Sequence, residues 1–195
     1  MKRLKTILSY LLPVVIGLLV GIGVRQYFAS ASLIKGPSMK PNLHTSEVVG
    51  VFKTLPIHRN SVIIFDANGE DPQVKKTDYY VKRVIGLPGD TVSSYNGTIY
   101  VNNHPLNQDY ISQRQRSTGT GNWNLQSLSS QWVRDRNSTK VPSGKYFVLG
   151  DHRSVSNDSR YWGFVDQSKV QGVVKTPPFN KNARQVNSAS AELVK

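Results

Sequence analysis

No cysteine occurs anywhere in this chain of 195 residues. That absence excludes a disulfide-stapled fold, a zinc–thiolate site and a cysteine nucleophile. It leaves the compartment open, because the residue that would report it is missing. Acidic residues are scarce: 12 Asp+Glu stand against 25 Lys+Arg, a formal charge of +13. Such a surface suits a polyanion, whether nucleic acid, an anionic bilayer face or an acidic cell wall, unless it serves solubility alone. Histidine is scarce too, with four in the chain. No internal repeat is visible. The length fits one domain, or one domain with a small satellite. Long apolar runs are absent, with one exception.

The exception is "ILSYLLPVVIGLLVGIGV", Ile7 to Val24. It is uncharged for about 18 residues, close to the roughly 20 that a helix needs to cross hydrocarbon. Lys2, Arg3 and Lys5 precede it. The positive-inside rule then predicts a cytoplasmic basic segment (1–6), an anchor (7–26) and an extracytoplasmic remainder. Pro13 is tolerable in such a helix, and Gly17 and Gly21 form a weak GxxxG packing signal. A cleavable signal peptide is the rival, with Ala29-Ser30-Ala31 as its cleavage triplet. Signal peptides have apolar cores of roughly 7–15 residues, shorter than this run, which favours the uncleaved anchor. Both readings put everything after Val24 outside the cytoplasm, and so argue against nucleic acid as a partner.

Beyond the anchor the strand signals are short. "SVIIF" (Ser61–Phe65), "YYVKRVI" (Tyr79–Ile85), "TIYV" (Thr98–Val101) and "KYFVLG" (Lys145–Gly150) are rich in β-branched and aromatic residues. "LPGD" (Leu87–Asp90) reads as a type II turn and "YNG" (Tyr95–Gly97) as a hairpin turn. Long amphipathic helical patterns are lacking. These signals predict a mainly β body over 27–178, with a polar inserted lobe at 107–140 and a mobile polar tail at 179–195.

Three stretches carry chemistry. In "KGPSMKPNLH" (Lys35–His44), Pro37 and Pro41 stiffen the backbone around Ser38, which reads as a held nucleophile. Met39 is expected to sink into apolar surface and tie the loop down; a core methionine without a chemical role fits equally. Four histidines offer themselves as its base: His44, His58, His104 and His152. None lies in a strand signal, and each reads as a solvated loop residue. Lysine is the other option. Only about one unperturbed lysine in a few thousand is neutral at pH 7, so a lysine base needs burial among apolar groups. On a strand, Lys82 shares its face with Tyr80 and Val84, the most apolar frame of any lysine here. A stem that snorkels across a half-buried sheet is an even alternative. Third, "GDHRSVSNDSRYWGF" (Gly150–Phe164) crowds Asp151, Arg153, Asp158 and Arg160 into what reads as a local ion network, with Ser154, Ser156 and Ser159 beside it.

Together these stretches resemble bacterial type I signal peptidases. "SMKPNL" is similar to that family's nucleophile motif S-M-x-P-T-L, with Asn42 in place of Thr. "YYVKRVIGLPGD" resembles its lysine motif. "GDHRSVSNDSR" resembles G-D-N-R-x-x-S-x-D-S-R, with His152 in place of Asn. The resemblance covers about residues 1–175, apart from the polar insertion. It implies Ser38 as nucleophile, Lys82 as general base, Ser156 orienting the amine, and Asp158–Arg160 as a supporting pair. It implies an oxyanion hole of backbone N–H groups at Ser38 and Gly36; some relatives have a serine where Gly36 stands. It further implies a β-rich catalytic fold, no metal or cofactor, and exported preproteins cut after Ala-x-Ala as substrates. Anionic membrane lipids are the expected partners of the basic surface. Ile34, Val84 and Ile85 are the residues expected to wall the specificity pockets. Two rivals stand beside this reading. Ser32-Leu-Ile-Lys35 satisfies the S-x-x-K of penicillin-recognising enzymes, but Pro177 spoils their K-T-G and no S-D-N occurs. A non-catalytic anchored module binding cell-wall polyanions is the other.

Overall fold

The computed structural model describes residues 2–188. Helix α1 spans Lys2–Tyr27 and contains Pro13. Side-chain surroundings within it are described mainly from residue 10 to residue 23. The anchor expected over 7–26 therefore falls partly outside the described residues. Among the described residues, no helix is long and apolar enough to cross a membrane.

The body is built on a seven-stranded antiparallel sheet in the order β1-β2-β11-β3-β4-β9-β10. Its strands are β1 (Ala29–Leu33), β2 (Val48–Phe52), β3 (Val62–Asp66), β4 (Tyr79–Gly86), β9 (Lys145–Leu149), β10 (Val165–Asp166) and β11 (Val170–Lys175). The last strand, β11, closes between β2 and β3. Ala29 to Ala31 are paired with β2, so the triplet weighed above as a cleavage site is part of the sheet.

The apolar run of β3 is buried on both faces, as a continuous run predicts. Val62 and Ile64 face a core shared with Ile34, Met39, Leu43, Val49 and Val174. Ile63 and Phe65 face another, with Val84, Val148 and Trp162. A third core joins Ile85, Phe147 and Leu149 to a smaller sheet. That sheet has the order β7-β6-β5-β8 and is formed by β5 (Val92–Tyr95), β6 (Thr98–Val101), β7 (His104–Pro105) and β8 (Trp123–Asn124). The turn between β5 and β6 has Asn96 at φ 47° and Gly97 at φ 78°, the left-handed pair that a tight hairpin needs.

Two expectations need correction. The inserted lobe does not begin at residue 107. The β5–β6 hairpin already belongs to it, because Ile99 and Val101 pack in the same core as Leu125 and Trp132. Nor is the tail free from residue 179 on. A short helix, α2 (Ala183–Asn187), buries Val186 in the core that also holds Met39. The Asn187 side chain accepts from Thr176 N–H at 2.9 Å and donates to Thr176 C=O at 2.8 Å. Polar composition suggested a free end, but amide hydrogen bonds and one valine dock it. The expectation for 189–195 lies outside the described residues.

Candidate active site

Ser38 sits on a tight turn between β1 and β2. Lys40 N–H donates to Pro37 C=O at 3.1 Å, and the N–H groups of Asn42 and Leu43 donate to Met39 C=O at 3.0 Å. Met39 and Leu43 are buried in the core below, so the loop is nailed down on one side of the serine. The other side is held by the loop after β9, where His152 N–H donates to Ser38 C=O at 2.9 Å. Gly150 makes this approach possible. A Cβ there would stand 2.1 Å from Ser156 Oγ and 2.6 Å from Ser38 O.

Lys82 lies on β4 and is 4% exposed. Its Nζ donates to Ser38 Oγ at 3.0 Å. The amine also lies 5.1 Å from the centre of the Tyr80 ring. Burial pushes the Lys82 pKa down to about 8; Arg160 adds to this, while Asp158, Asp151 and Asp71 oppose it. Among the described residues no histidine side chain hydrogen-bonds Ser38, and His44 lies in the open with its side chain 57% exposed.

Asp158 and Arg160 form the buried pair that the sequence suggested, Nε to Oδ1 at 2.8 Å and Nη2 to Oδ2 at 3.0 Å. Asp158 also accepts from Gly150 N–H at 3.0 Å, and Arg160 donates to Arg153 C=O at 2.7 Å. The pair thus stitches the loop that covers Ser38. Ser156 is buried, and its Oγ has no hydrogen-bond partner among the described residues, Lys82 included.

The wider ion network differs from the expectation. Asp151 does not pair within its own loop. It takes both Arg83 Nε (2.8 Å) and Nη2 (2.7 Å) from β4. Among the described residues Arg153 meets no carboxylate; it donates to Gly150 C=O, Gln108 Oε1, Thr120 Oγ1 and Tyr110 Oη. Asn42 ties the nucleophile loop into this cluster, donating to Asp151 Oδ2 and to Tyr110 C=O, each at 2.7 Å. Sequence reasoning overlooked this. The signal was there: an arginine inside an apolar strand demands a buried acceptor.

Ser38 and Lys82 open onto a cleft of about 490 Å³. Its walls come from Ala31 to Leu33 and from Lys35, Pro37 and Ser38 on one side and from 78–82 on the other, with Ile64, Val155 and Asn157 completing the lining. Ile34, Val84 and Ile85 are not in these walls. Each points into one of the three cores instead. The walls that the cleft does have include Ala31, Leu33, Tyr80 and Val81. Strand β4 pairs with β3 from Tyr79 onward but with β9 only from Arg83 onward. Tyr79 to Lys82 therefore present a free strand edge to the cleft. Gly36, at φ +79°, stands beside Ser38, whose N–H makes no backbone hydrogen bond among the described residues.

A buried amine on a serine hydroxyl, at the end of an open cleft, is the arrangement of a hydrolase, and comparison with known proteins agrees. The family profile described as "Signal peptidase, peptidase S26" matches residues 7–179. The chain belongs to the signal peptidase family. Signal peptidase IB of Staphylococcus aureus (strain COL) is 35% identical over 178 residues, 87% of this chain and 88% of that one. Signal peptidase I of Bacillus licheniformis is 31% identical over 187 residues, 92% of this chain and 94% of its own. The crystal structure of a signal peptidase I from Enterococcus faecalis V583 is 36% identical and aligns with a TM-score of 0.51, covering 61% of this chain and 97% of that one. The mainly β fold is thus a signal peptidase I fold, and membership makes the chain a serine peptidase, a hydrolase. The alternative of a non-catalytic wall-binding module falls with it.

Proposed function

We propose that this signal peptidase removes signal peptides from exported preproteins with Ser38 as nucleophile and Lys82 as general base. The supporting observation is the 3.0 Å contact between Lys82 Nζ and Ser38 Oγ, at an amine that burial holds near pKa 8. At neutral pH a useful fraction of that amine is unprotonated. The neutral amine takes the Ser38 proton as Oγ bonds to the scissile carbonyl carbon. Backbone N–H groups at Ser38 and Gly36 hold the resulting oxyanion, where one donor is worth roughly 2.7–4 kcal/mol of barrier. The C–N bond breaks, and the Lys82 ammonium gives its proton to the leaving amine. Water then loses a proton to Lys82, attacks the acyl-enzyme, and returns Ser38 to its resting form. Asp158 and Arg160 keep the covering loop in place.

The substrate lies extended along the free edge of β4, where backbone hydrogen bonds grip it without regard to side chain. Selection for Ala-x-Ala follows from the shallow walls on either side. Signal peptidases of this family are membrane-associated. The apolar run of residues 7–24, only part of whose side chains is described, serves here as the anchor, with the basic first residues in the cytoplasm and the cleft outside. Holding enzyme and signal peptide on one surface raises their effective concentration. Lys and Arg of the body meet anionic headgroups.

The test is cleavage of a preprotein whose signal ends in Ala-x-Ala, by the full-length protein in liposomes. Ser38→Ala and Lys82→Ala each abolish cleavage at matched folding. Substantial turnover by either variant would sink the dyad.

A further inference from the structure

Lys82 has a neighbour whose restraint is as specific as its own. Tyr80 lines the cleft one strand position away on the same face, and its ring lies under the Lys82 amine. Three groups fix that ring. Phe65 meets it edge-on at 6.1 Å, Lys82 lies over it, and its hydroxyl donates to Asp71 Oδ2 at 3.1 Å. Asp71 belongs to the connection between β3 and β4 and is almost fully buried. The same Oδ2 accepts from Asn157 Nδ2 at 2.6 Å. Asn157 also lines the cleft and sits between Ser156 and Asp158 in the loop that covers Ser38. Asp71 is itself fixed: its N–H donates to Ala67 C=O at 3.0 Å, and its Oδ1 accepts from Gln73 N–H at 2.9 Å. One buried carboxylate oxygen therefore joins two walls that meet beside the amine.

We infer that Asp71 is a positioning residue that sets the size of the subsite beside Lys82, by clamping the Tyr80 ring to the Asn157 amide. This rests on the Ser38/Lys82 reading above. A carboxylate suits the task because it only accepts, so one oxygen takes both donors. Charge-assisted hydrogen bonds are also the stronger kind. With the clamp intact, the ring cannot swing away and the subsite admits only a small side chain. With it broken, Tyr80 and the covering loop part, and a larger side chain fits. Burial and Asp71 together push the Tyr80 pKa up to about 12, so the hydroxyl keeps its proton, and its donor role, across the working range. Four charges act on Lys82 through space: Asp158, Arg160, Asp151 and Asp71. Removing the last lowers the pH at which the amine becomes neutral.

The experiment uses the full-length protein in liposomes and preproteins with Ala, Val or Leu immediately before the cut. The readout is the ratio of kcat/KM for Val or Leu to that for Ala. In Asp71→Ala the ratio rises on the order of tenfold, the low end of what one methylene decides in an apolar pocket. In Tyr80→Phe, which cuts only the tyrosine link, it rises less. Asp71→Asn moves the acid limb of the pH–rate profile downward, and Tyr80→Phe leaves it in place. A ratio at the parent value in both Asp71→Ala and Tyr80→Phe overturns the clamp, whatever the absolute rates. Ser38→Ala in the same assay tests the dyad separately, since residual cleavage there would indict the mechanism and leave the substrate ratios to judge the clamp.

Discussion

Lys82 and Arg83 are consecutive, both basic and both almost wholly buried, yet the protein treats them in opposite ways. Strand alternation sends them to opposite faces of β4. On one face Arg83 finds a complete shell: both oxygens of Asp151, and Asn60 C=O at 2.8 Å. On the other face Lys82 finds a serine hydroxyl, an aromatic ring and, among the described residues, no ion-pair partner. The guanidinium never gives up its proton, so burying it requires a partner. An ammonium can respond to the same burial by losing its proton. The lesson is that burial alone does not free an amine of its proton; burial without a carboxylate partner favours it, as the proposed base requires.

The largest effect expected from breaking this contrast is on rate. Lys82→Ala lowers cleavage by on the order of 10⁴-fold or more, as loss of one member of a catalytic pair commonly does. The intact enzyme's rate rises with pH through one ionisation near 8. The same group leaves a mark on stability. Between pH 8 and 10.5 the unfolded chain holds more protons on this amine than the folded chain does. Stability therefore climbs with pH across that window, and below it the fold carries a cost of roughly 3 kcal/mol. Lys82→Met removes the charge, keeps the apolar bulk, and unfolds at higher urea than the parent at pH 7 while cleaving nothing. A variant equally or less stable at pH 7 would mean the amine is solvated after all.

Next comes the opposite face. Arg83→Ala leaves Asp151 buried and unpaired, and costs roughly 3–5 kcal/mol of stability. Asn42 shares Asp151, so the nucleophile loop slackens too. Replacing Arg83 and Asp151 together with apolar residues recovers much of the stability without restoring activity. Denaturation and turnover measured on the same preparations separate the two effects.

The sequence disclosed these two faces unequally. The apolar frame of Lys82 was legible because alternation with Tyr80 and Val84 is a local pattern, though the pattern alone left a snorkelling stem equally open and only the resemblance suggested a base. The held loop around Ser38 was legible from its prolines and methionine. The partner of Arg83 lies 68 positions away, where no periodicity reaches. The charges around Asp151 therefore read as one local network, when half of them point elsewhere. The same blindness misplaced the pocket walls. Ile34, Val84 and Ile85 are apolar and near the right residues, but only the curl of the sheet decides which side chains face the cleft. It also misread the docked end, whose ties are hydrogen bonds donated by the Asn187 and Asn182 amides to the carbonyls of Thr176 and Pro41. Such bonds leave no compositional trace.

A smaller effect tests whether the two faces communicate through the covering loop. Gly150 lies between Asp151, which serves Arg83, and the backbone of Ser38. In Gly150→Ala the new methyl meets Ser156 Oγ at 2.1 Å and Ser38 O at 2.6 Å, both too close, so the loop and the Ser38 backbone must move apart. A displacement near 1 Å at a reacting group costs about a hundredfold in rate. The Arg83–Asp151 pair itself is untouched, so stability falls less than in Arg83→Ala. Full activity in a folded Gly150→Ala protein would mean that Ser38 is not held from this side.

The smallest effect expected is none, and it comes from a third basic side chain that differs from both. His44 follows Ser38 by six positions, near enough in sequence to suggest a base. Its Nδ1 stands 4.0 Å from Glu47 Oε2, and most of its side chain faces solvent. It lacks the shell of Arg83, and it lacks the dry contact of Lys82 with the hydroxyl. Burial and direct contact with Ser38 are both conditions for the chemistry, and His44 meets neither. His44→Ala should leave kcat/KM, the pH profile and the urea midpoint within error of the parent, as exposed substitutions usually do within about 0.5 kcal/mol. The same holds for the rate of His152→Asn, because the bond to Ser38 C=O comes from the backbone N–H and survives the change. If either substitution instead erased the pH limb, the proton acceptor would be an imidazole, and the contrast between Lys82 and Arg83 would describe packing alone.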